Sequence, residues 1–485
     1  MQRGERRAGG AVAAGAAETG VRGGRARAAG REAAVGELGH LPELGAETQD
    51  SNGDPVRISF DLQAPPGPSR LCLHCPEERE TSCWDLVVAS HRDAVLFRLE
   101  VDFDGLWVNN DHAMDYFIYR ASSSSLAKLT LLPRCFSTEA EAYAADASSW
   151  RRGWRMVHSS SIGLLANGEE HFLVAELTIE GAPDSSAPLV AKLFRLNSAD
   201  GQWELTQAKS QRRIRGGERW PGHPHASAPL NFFYGVSLLR SMSCPAPLCS
   251  NPGSAPAKSR GRSVTFMDVL GWKTHRVIPF STYLCWADYN RGVLFCDVRH
   301  QNPELQYLRL PAVDDDMPPR EDYPEESCSV CVTDGGNTMM FVKVVKNSTT
   351  SICRNCNPGS GFNISVWRMH VIDSSTMQWV ENVVITDNEL WDMVDCYHPG
   401  RLPRRSVPQF PVVSMDDPDI LYFVLRVTPV PADEATACLV TLDIKGKKVL
   451  RCDGIRAFLS DDNFCSGFGF FPSNFTNYLM KHTQG

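Results

Sequence analysis

The feature that most constrains this chain is a period of two in its apolar residues, which dominates the sequence beyond residue 50. Short runs of β-branched and aromatic residues recur between Gly, Pro, Asn, Asp or Ser, for example "LVAKLFRL", "FNISVWRMHVI", "NTMMFVKVV", "ILYFVLRV" and "ACLVTLDI". Roughly twenty such runs can be counted, and runs of this kind predict β-strands. Helical spacing is best represented by "STEAEAYAADASSWRR" (Ser137 to Arg152), which predicts one exposed helix. The chain is therefore predicted to be mainly β.

One hairpin indicates how the strands are arranged. In "CWADYNRGVLFCDV" (Cys285 to Val298) two apolar runs flank a short polar turn. Val293 and Phe295 would point to one face of the second strand, whereas Leu294 and Cys296 would point to the other. A hairpin on a surface sheet alternates apolar and polar residues, because one of its faces meets water. This hairpin is therefore predicted to lie in a sheet that is covered on both faces.

Sheets stacked radially around an axis meet this requirement. The predicted strands would divide into about five or six four-stranded antiparallel sheets, each covered by its two neighbours, as in a β-propeller. The alternative is a pair of tandem β-sandwiches, whose strands would alternate more cleanly. We predict the β-propeller-like body.

A weak internal repeat supports the same fold. "KLFRLNSADGQWELT" (Lys192 to Thr206) and "VWRMHVIDSSTMQWVEN" (Val366 to Asn382) each combine an alternating strand, a polar turn and a tryptophan on the return strand. "CLVTLDIKGKKVLRC" (Cys438 to Cys452) follows the same plan, with Val449 in place of the tryptophan. A large side chain on the return strand suits a propeller sheet, where it fills the gap to the neighbouring sheet.

Composition sets the predicted domain limits. Residues 1–50 contain few large apolar side chains and are predicted to be a disordered, low-complexity tail. Residues 51–480 are predicted to form the β domain, with loop insertions near 241–263 and 312–326. The first insertion is rich in Pro, Ser and Ala, and the second carries the acidic run "VDDDMPPREDYPEE" (Val313 to Glu326), which is typical of a solvated loop.

Charge and hydropathy exclude several classes of function. The formal net charge of -8 and a pI near 5.9 argue against a nucleic-acid-binding protein. No window reaches the roughly 18 apolar residues that a membrane helix requires, so no membrane association is predicted. The N-terminal sequence is also a poor secretory signal, because its arginines precede no continuous apolar segment. We expect a cytoplasmic or nuclear protein with mostly reduced thiols, and a plastid or mitochondrial address is the alternative.

Five stretches, in this order, resemble a plant family expanded in grasses, domain of unknown function 1618 (DUF1618). They are "PPGPSRLCLHCP", "GLLANGEEHFLVAELTI", "YLCWADYNRGVLFCDVRHQNPELQYLRLP", "FPVVSMDDPDILYFVL" and "FPSNFTNYL". The resemblance implies no established activity, cofactor or ligand. Some members are similar to F-box-associated proteins, which pair a helical F-box with a β-propeller that grips a client. An F-box is Leu-rich and helical, and its only hint here is "HLPELG" (His40 to Gly45).

Cysteine spacing provides the sharpest chemical candidate. Cys328, Cys331, Cys353 and Cys356 follow a C-x2-C-x21-C-x2-C pattern, which is close to that of a zinc ribbon. "CSVCVTDGG", however, has the pattern of a strand, and residues three apart in a strand point to opposite faces. We therefore predict that Cys328 and Cys331 diverge and that no zinc is bound.

The remaining motifs predict turns and loops. No nucleophile elbow, HExxH or Walker A sequence is present. "MDDPD" (Met415 to Asp419) offers carboxylates, but Asp and Pro clusters are typical turn formers. We predict no catalytic, cofactor-binding or metal-binding residues and no cofactor. The predicted function is a non-enzymatic module that binds protein partners or acts as a scaffold. The alternatives are a hydrolase-like enzyme with its site in a propeller cavity, and a zinc-stabilised structural protein.

Overall fold

The structure is a computed structural model in which part of the chain is described. The described residues are 13–14, 17–18, 37–40, 45–63, 67, 69–74, 86–101, 114–121, 127–135, 160–168, 171–180, 190–210, 262–263, 269, 271–311, 324–346, 361–373, 376–397, 406–427, 436–456 and 470–476. Residues 212–258 lie outside this set, so the description below concerns residues 1–211 and 259–485.

Antiparallel strands build almost all of the described structure, and they fall into six successive groups of four. The first group comprises β3 (Glu37–His40), β4 (Ala46–Gln49), β5 (Pro55–Gln63) and β6 (Arg70–His74). The second comprises β7 (Leu86–His91), β8 (Ala94–Glu100), β9 (Met114–Arg120) and β10 (Lys128–Leu131). The third comprises β11 (Ile162–Asn167), β12 (His171–Glu180), β13 (Val190–Asn197) and β14 (Trp203–Ser210).

The second half of the chain repeats this plan. The fourth group comprises β16 (Arg276–Phe280), β17 (Tyr283–Asp288), β18 (Gly292–Cys296) and β19 (Glu304–Arg309). The fifth comprises β20 (Cys328–Thr333), β21 (Thr338–Lys346), β22 (Phe362–Asp373) and β23 (Thr376–Thr386). The sixth comprises β24 (Gln409–Val413), β25 (Ile420–Val427), β26 (Thr436–Asp443) and β27 (Lys448–Arg456).

Short elements complete the fold. They are the strands β1 (Ala13–Ala14), β2 (Ala17–Glu18), β15 (Arg262–Ser263) and β28 (Phe470–Ser473), the helix α1 (Asp387–Tyr397), and 3-10 turns at Pro324–Glu326 and Asp334–Gly336. Strands β14 and β19 pair in parallel at Lys209–Glu304 and Ser210–Leu305, which joins the third and fourth sheets at their outer edges.

The sheets are arranged radially, since their first strands follow one another around a common axis. β7 contacts β11, β11 contacts β16, β16 contacts β20, and β20 contacts β24. The C-terminal strand β28 contacts β24, and Ser473 in β28 lies 2.8 Å from Ser90 in β7, hydroxyl to hydroxyl. The circle is thus closed by β28, the last of the described strands. This arrangement confirms the predicted mainly antiparallel, β-propeller-like body and not tandem sandwiches.

Each space between successive sheets, from the first to the sixth, contains its own apolar core. One cluster lies between the first and second sheets, and others follow between each successive pair up to the fifth and sixth. The hairpin that suggested stacking shows the principle. Cys285 and Phe295 pack toward the fifth sheet, while Trp286 and Leu294 pack toward the third. The first residue of β18, Gly292, has to be glycine, because a Cβ at this position would lie only 2.7 Å from the Leu308 carbonyl oxygen.

The predicted internal repeat occupies equivalent places in the fold. The three hairpins are β13–β14, β22–β23 and β26–β27, which are the outer two strands of the third, fifth and sixth sheets. Trp203 pairs with Leu196, Trp379 with Met369, and Val449 with Leu442. The similarity in sequence therefore reflects similarity in position.

The helix α1 was missed in the sequence, although a capping box marks its start. The Glu389 backbone N–H donates to the Thr386 hydroxyl (3.3 Å), and the Thr386 N–H donates to the Glu389 carboxylate (2.9 Å). Leu390, Trp391 and Val394 are buried in the core between the fifth and sixth sheets. The helix thus fills the wedge where these two sheets spread apart.

Several predicted boundaries need correction. Ala46–Gln49 pairs with β5, so ordered structure begins before the predicted limit of the tail at residue 50. Most of residues 1–50, the predicted helix at 137–152 and the insertion at 241–261 lie outside the described residues. Arg262 and Ser263, the last residues of that insertion, form β15 against β19. The acidic loop ends in a 3-10 turn with Pro324 buried, so its last residues are not a solvated loop. No described helix has the length and apolar character needed to cross a membrane.

Candidate functional site

The inner strands of four different sheets surround an open cleft on the axis of the ring, the axial cleft. Its enclosed space is about 40 Å³, and with the part open to solvent the cleft comprises about 560 Å³. Its wall is built by residues 88–90 of β7, 276–279 of β16, 328–330 of β20 and 410–412 around β24, together with Tyr289 and Glu325. The first strands of the second to sixth sheets lie nearest the axis, so side chains distant in sequence meet here.

Two charged residues lie in the wall of the axial cleft. Arg276 begins β16, and Glu325 lies in the 3-10 turn before β20. Burial raises the pKa of Glu325, and the positive charges of Arg276 and Lys273 act in the opposite direction. The cleft therefore holds a partly buried carboxyl group whose ionised form depends on cations from the neighbouring sheet.

Phe410 is the most unusual residue of the wall. Its φ of 52° lies in the left-handed region, which costs a bulky residue on the order of 1–3 kcal/mol. The register of β24 and β25 shifts between Gln409 and Val412, which marks a bulge at the same place. Bulges re-aim side chains and are common beside functional sites. Here the bulge places a half-buried aromatic ring in the wall of the cleft.

The buried residue His275 precedes Arg276 of the cleft wall in the chain and packs against Tyr289, another wall residue. The ring of His275 stacks on Tyr289, with ring centroids 5.5 Å apart and an interplanar angle of 9°. The Tyr289 backbone N–H donates to His275 Nδ1 (3.2 Å), so in the neutral ring the proton is on Nε2. His275 Nδ1 and Asp288 Oδ1 are 3.7 Å apart, but both act as acceptors, so we do not regard this contact as an ion pair. Burial lowers the pKa of His275 to about 4, which agrees with a neutral ring.

Asp288 fixes the turn that positions these residues. Its carboxylate accepts hydrogen bonds from the backbone N–H groups of Lys273 and Asn290, each at 3.0 Å. Arg291 Nε lies 3.6 Å from the same carboxylate. The polar turn of the fourth sheet thereby holds the segment that leads into Arg276.

The cysteines of the predicted zinc pattern are separated by the strand that carries the first two. Cys328 and Cys331 are both buried in β20, but Cys328 packs toward the fourth sheet and Cys331 toward the sixth. The Cys328 thiol donates to the Pro324 carbonyl oxygen (3.2 Å), and Cys331 Sγ accepts from the Val413 N–H (3.3 Å). The prediction that this pair diverges in a strand is confirmed.

The second half of the zinc pattern lies outside the described residues, since Cys353 and Cys356 belong to 347–360. Among the residues that the structure describes, no three His, Cys, Asp or Glu side chains converge as a metal site would require. Whether the protein binds zinc therefore stays a prediction.

The acidic stretch "MDDPD" forms the turn that was predicted. The Asp419 N–H donates to the Asp417 carboxylate (2.9 Å), and the Asp416 N–H donates to the Ser414 hydroxyl (3.3 Å). The carboxylates thus organise local backbone.

Sequence reasoning did not single out Arg276, Glu325 or Phe410. Phe410 stands at the start of one of the stretches that suggested a family, but nothing in "FPVV" indicates a positive φ. Arg276 and Glu325 are ordinary surface residues by sequence. They meet only because two strands from different sheets lie side by side at the axis.

The fold and the cleft define a class of protein: a β-propeller-like body of small antiparallel sheets with an open axial cleft. A family model described as "Protein of unknown function (DUF1618)" matches residues 286–422, from the fourth sheet into the sixth. The predicted resemblance to the DUF1618 family is thereby confirmed over this stretch.

Two further comparisons give little more. No curated protein matches the chain. Among solved structures, the chain is similar to the crystal structure of the WD40 domain of SCAP from fission yeast, with 11% sequence identity and a TM-score of 0.29. That alignment covers 85% of this chain and 76% of the other. The architecture described above depends on the strand pairing and sheet contacts of this chain alone.

Proposed function

We propose that this protein is a non-enzymatic protein-binding module whose axial cleft takes up a segment of a partner protein. The observation that carries the proposal is Phe410, a half-buried aromatic residue kept at a φ of 52° in the wall of an open cleft. Backbone strain of this kind persists where the surrounding structure imposes it, and it clusters at ligand-binding sites.

The chemistry of the wall suits a peptide segment. Aromatic and arginine side chains dominate the energetics of protein interfaces when they lie in recessed positions, and Phe410 and Arg276 both line the cleft. The remaining wall includes Val88, Ile278 and Val330, which would contact apolar parts of a partner. The expected occupant is an extended segment with an apolar side chain against Phe410 and a polar group near Arg276 and Glu325.

The hydrogen bonds of the cleft residues support binding rather than covalent catalysis. The Ser329 hydroxyl donates to the Pro411 carbonyl oxygen and also lies 3.2 Å from Cys331 Sγ. The Cys328 thiol donates to a backbone carbonyl. A serine or cysteine nucleophile would instead need an adjacent base. The hydrolase and the zinc-stabilised structural protein remain the alternatives.

The proposal includes a cytoplasmic or nuclear location. The described residues include nine cysteines, six of them buried, and no disulfide joins any two of them. Thiols of this kind stay reduced in those compartments.

Site-specific photo-crosslinking tests the proposed function. The full chain, carrying p-benzoylphenylalanine in place of Phe410, is irradiated in cells of its source and the adducts are identified by mass spectrometry. The matched control carries the same probe in place of Val371, which is 60% exposed on the outer hairpin of the fifth sheet. We expect a reproducible protein adduct from position 410 and none from position 371.

Phe410→Gly separates binding from folding. Glycine adopts a positive φ freely, so relief of strain offsets the lost ring contacts and the melting temperature should change little. The crosslinked partner should then be lost from captures made with the Phe410→Gly variant and retained with Val371→Ala. Equal recovery with both variants, or equal crosslinking from both positions, would contradict the proposal.

A further inference from the structure

Two cysteines face each other across the outer hairpin of the sixth sheet. In β26 and β27, Val440 pairs with Cys452 and Cys438 pairs with Gly454. Directly paired residues share a face of a sheet, as do residues two apart in a strand. Cys438 and Cys452 therefore lie on the same face as diagonal neighbours. The residue directly paired with Cys438 is Gly454, which has no side chain to stand between the two thiols.

This pair differs from the other described cysteines in being both paired and accessible. Cys438 and Cys452 are half-buried, whereas Cys72, Cys135, Cys285, Cys296, Cys328 and Cys331 are buried and Cys396 is exposed. Cys285 and Cys296 also lie on adjacent strands, but they point to opposite faces of the fourth sheet. They provide a natural comparison that should not react.

The two thiols have unequal acidities. The Cys452 thiol donates a hydrogen bond to Cys438, and this bond lowers the pKa of Cys438 to about 7, while burial and the charge of Asp453 act against it. The same bond raises the pKa of Cys452. A thiol of this acidity is substantially ionised at neutral pH, and the thiolate is the nucleophile in exchange with disulfides.

We propose that Cys438 and Cys452 are a reversible oxidation site, which closes to a disulfide by exchange with a small disulfide such as oxidised glutathione. The Cys438 thiolate attacks one sulfur of that disulfide, a mixed disulfide forms, and the first glutathione thiolate departs. That thiolate takes the proton of Cys452, and the Cys452 thiolate then attacks Cys438 Sγ and releases the second glutathione as a thiolate, which is protonated by water. Two cysteine thiols are oxidised, and one glutathione disulfide is reduced to two thiols.

The position of the pair makes the bond labile rather than structural. Diagonal neighbours across antiparallel strands have Cα atoms about 7–8 Å apart. Disulfides usually join Cα atoms roughly 4.4–6.8 Å apart, so closure has to pull β26 and β27 together. Strain of this kind favours reduction of the bond. Cys452 packs against the apolar core between the fifth and sixth sheets, as does Met393 of α1, so the movement would be transmitted to this core.

Titration of the full-length protein with mixtures of reduced and oxidised glutathione, followed by intact-mass and peptide mapping, tests the site. We expect loss of two hydrogen atoms per chain, a single Cys438–Cys452 linkage, and full reversal when reduced glutathione is restored. In Cys452→Ser the reaction should stop at one glutathione adduct on Cys438. In Cys438→Ser neither the disulfide nor an adduct on Cys452 should form.

Cys396→Ser is the matched control, because Cys396 is exposed and lies on α1, outside the β26–β27 hairpin. This variant should close the Cys438–Cys452 disulfide as readily as the parent chain. Four results would each overturn the proposal: no disulfide in oxidised glutathione alone, a disulfide that joins other cysteines, a bond that reduced glutathione does not open, or equal adduct formation on Cys285.

Discussion

At the scale of single residues, His275 shows how burial of a polar side chain disfavours its charged form. Its side chain is 2% exposed, Nδ1 accepts a backbone hydrogen bond, and Nε2 has no partner among the described atoms. The ring is therefore kept neutral where a charged ring could not be solvated. Burial likewise lowers the pKa of His91 to about 3.

These histidines should make the protein sensitive to mild acid. The pKa of His275 is 6.5 when unfolded and about 4 when folded, so stability is fully present above pH 6.5 and is lost as the pH falls toward 4. Between pH 7 and pH 5 the expected loss from His275 is about 2 kcal/mol. Urea denaturation of His275→Gln should show a smaller difference between these two pH values than the parent protein does.

The control for this experiment is His171→Gln, because His171 is exposed at the start of β12. It should leave the pH difference unchanged. Burial raises the pKa of Asp288, which acts in the opposite direction on acidification, so only the difference between variant and parent isolates His275. An equal pH difference in His275→Gln and the parent would refute the assignment.

The two tryptophans of the repeated hairpins should differ in their contribution to stability. Trp379 is 6% exposed in the core between the fourth and fifth sheets, so Trp379→Ala should destabilise the protein by about 3–5 kcal/mol. Trp203 is only partly buried, and Trp203→Ala should cost less. This revises the expectation of equal effects that the repeat alone would give.

Substitution of the same two tryptophans by phenylalanine should reverse the order, so that the change at Trp203 costs more stability than the change at Trp379. Trp379 Nε1 has no described hydrogen-bond partner, whereas Trp203 Nε1 donates to the Pro133 carbonyl oxygen (2.7 Å). Trp203→Phe should therefore lose about 1 kcal/mol of hydrogen-bond stabilisation that Trp379→Phe does not lose. Urea denaturation of the four variants measures both comparisons, and equal costs in each pair would contradict them.

At the scale of elements, the helix α1 links the fifth sheet to the sixth. Beyond its capping box, Glu389 accepts a hydrogen bond from Lys447 Nζ (2.7 Å), which lies in the turn between β26 and β27. The hydrogen bond from Lys447 and those from Thr386 lower the pKa of Glu389 to about 2. The start of the helix is thus tied both to its own strand and to the neighbouring sheet.

Loss of the cap should cost more than loss of the ion pair. Thr386→Ala should destabilise the protein by about 1 kcal/mol, because the hydroxyl that accepts the Glu389 N–H is removed. Lys447→Ala should cost less than about 1 kcal/mol, since the pair is exposed to solvent. Chemical denaturation provides the values, with Thr386→Ser as the variant that keeps the cap. If Thr386→Ser were as destabilised as Thr386→Ala, the capping role would be wrong.

The sequence predicted the strands well, but it predicted neither the helix α1 nor the axial cleft. The run of β-branched and aromatic residues in "ILYFVLRV" predicts a strand from local sequence alone, and Leu421 to Leu425 are all buried because both faces of this strand are covered. The sequence of α1 is short and its apolar residues are few, although Thr386 and Glu389 have the spacing of a capping box. The axial cleft joins Val88 to Phe410, and no local pattern contains information about a contact of that sequence separation.

At the scale of the whole molecule, the ring depends on its last strand. Phe475, directly after β28, is fully buried against Phe60 of the first sheet and Tyr119 of the second, with ring centroids 4.9 and 5.9 Å away. Thr476 and Ser69 lie within hydrogen-bond distance, hydroxyl to hydroxyl, at 3.2 Å. Residues 475 and 476 therefore complete the apolar core between the first and second sheets, which are formed by the N-terminal part of the chain.

Phe475→Ala should destabilise the whole body rather than its terminus alone. A fully buried phenylalanine costs about 3–5 kcal/mol when it is truncated, and the loss falls on the contact that closes the ring. We expect one cooperative urea transition at lower concentration for Phe475→Ala. Val371→Ala, at an exposed site, should remain within about 0.5 kcal/mol of the parent. A change in Phe475→Ala no larger than this would show that closure does not stabilise the ring.

The closing segment also has a consequence for how the protein is made. A ribosome adds about 5–20 residues per second, so roughly 20–80 seconds separate the emergence of Phe60 from that of Phe475. During that interval the apolar face of the first sheet, including Ile58 and Phe60, has no C-terminal residue to cover it. Until Phe475 has been translated, the nascent chain leaves uncovered the part of this apolar surface against which Phe475 later packs, which makes its earliest strands a natural client for chaperones that bind at the exit tunnel.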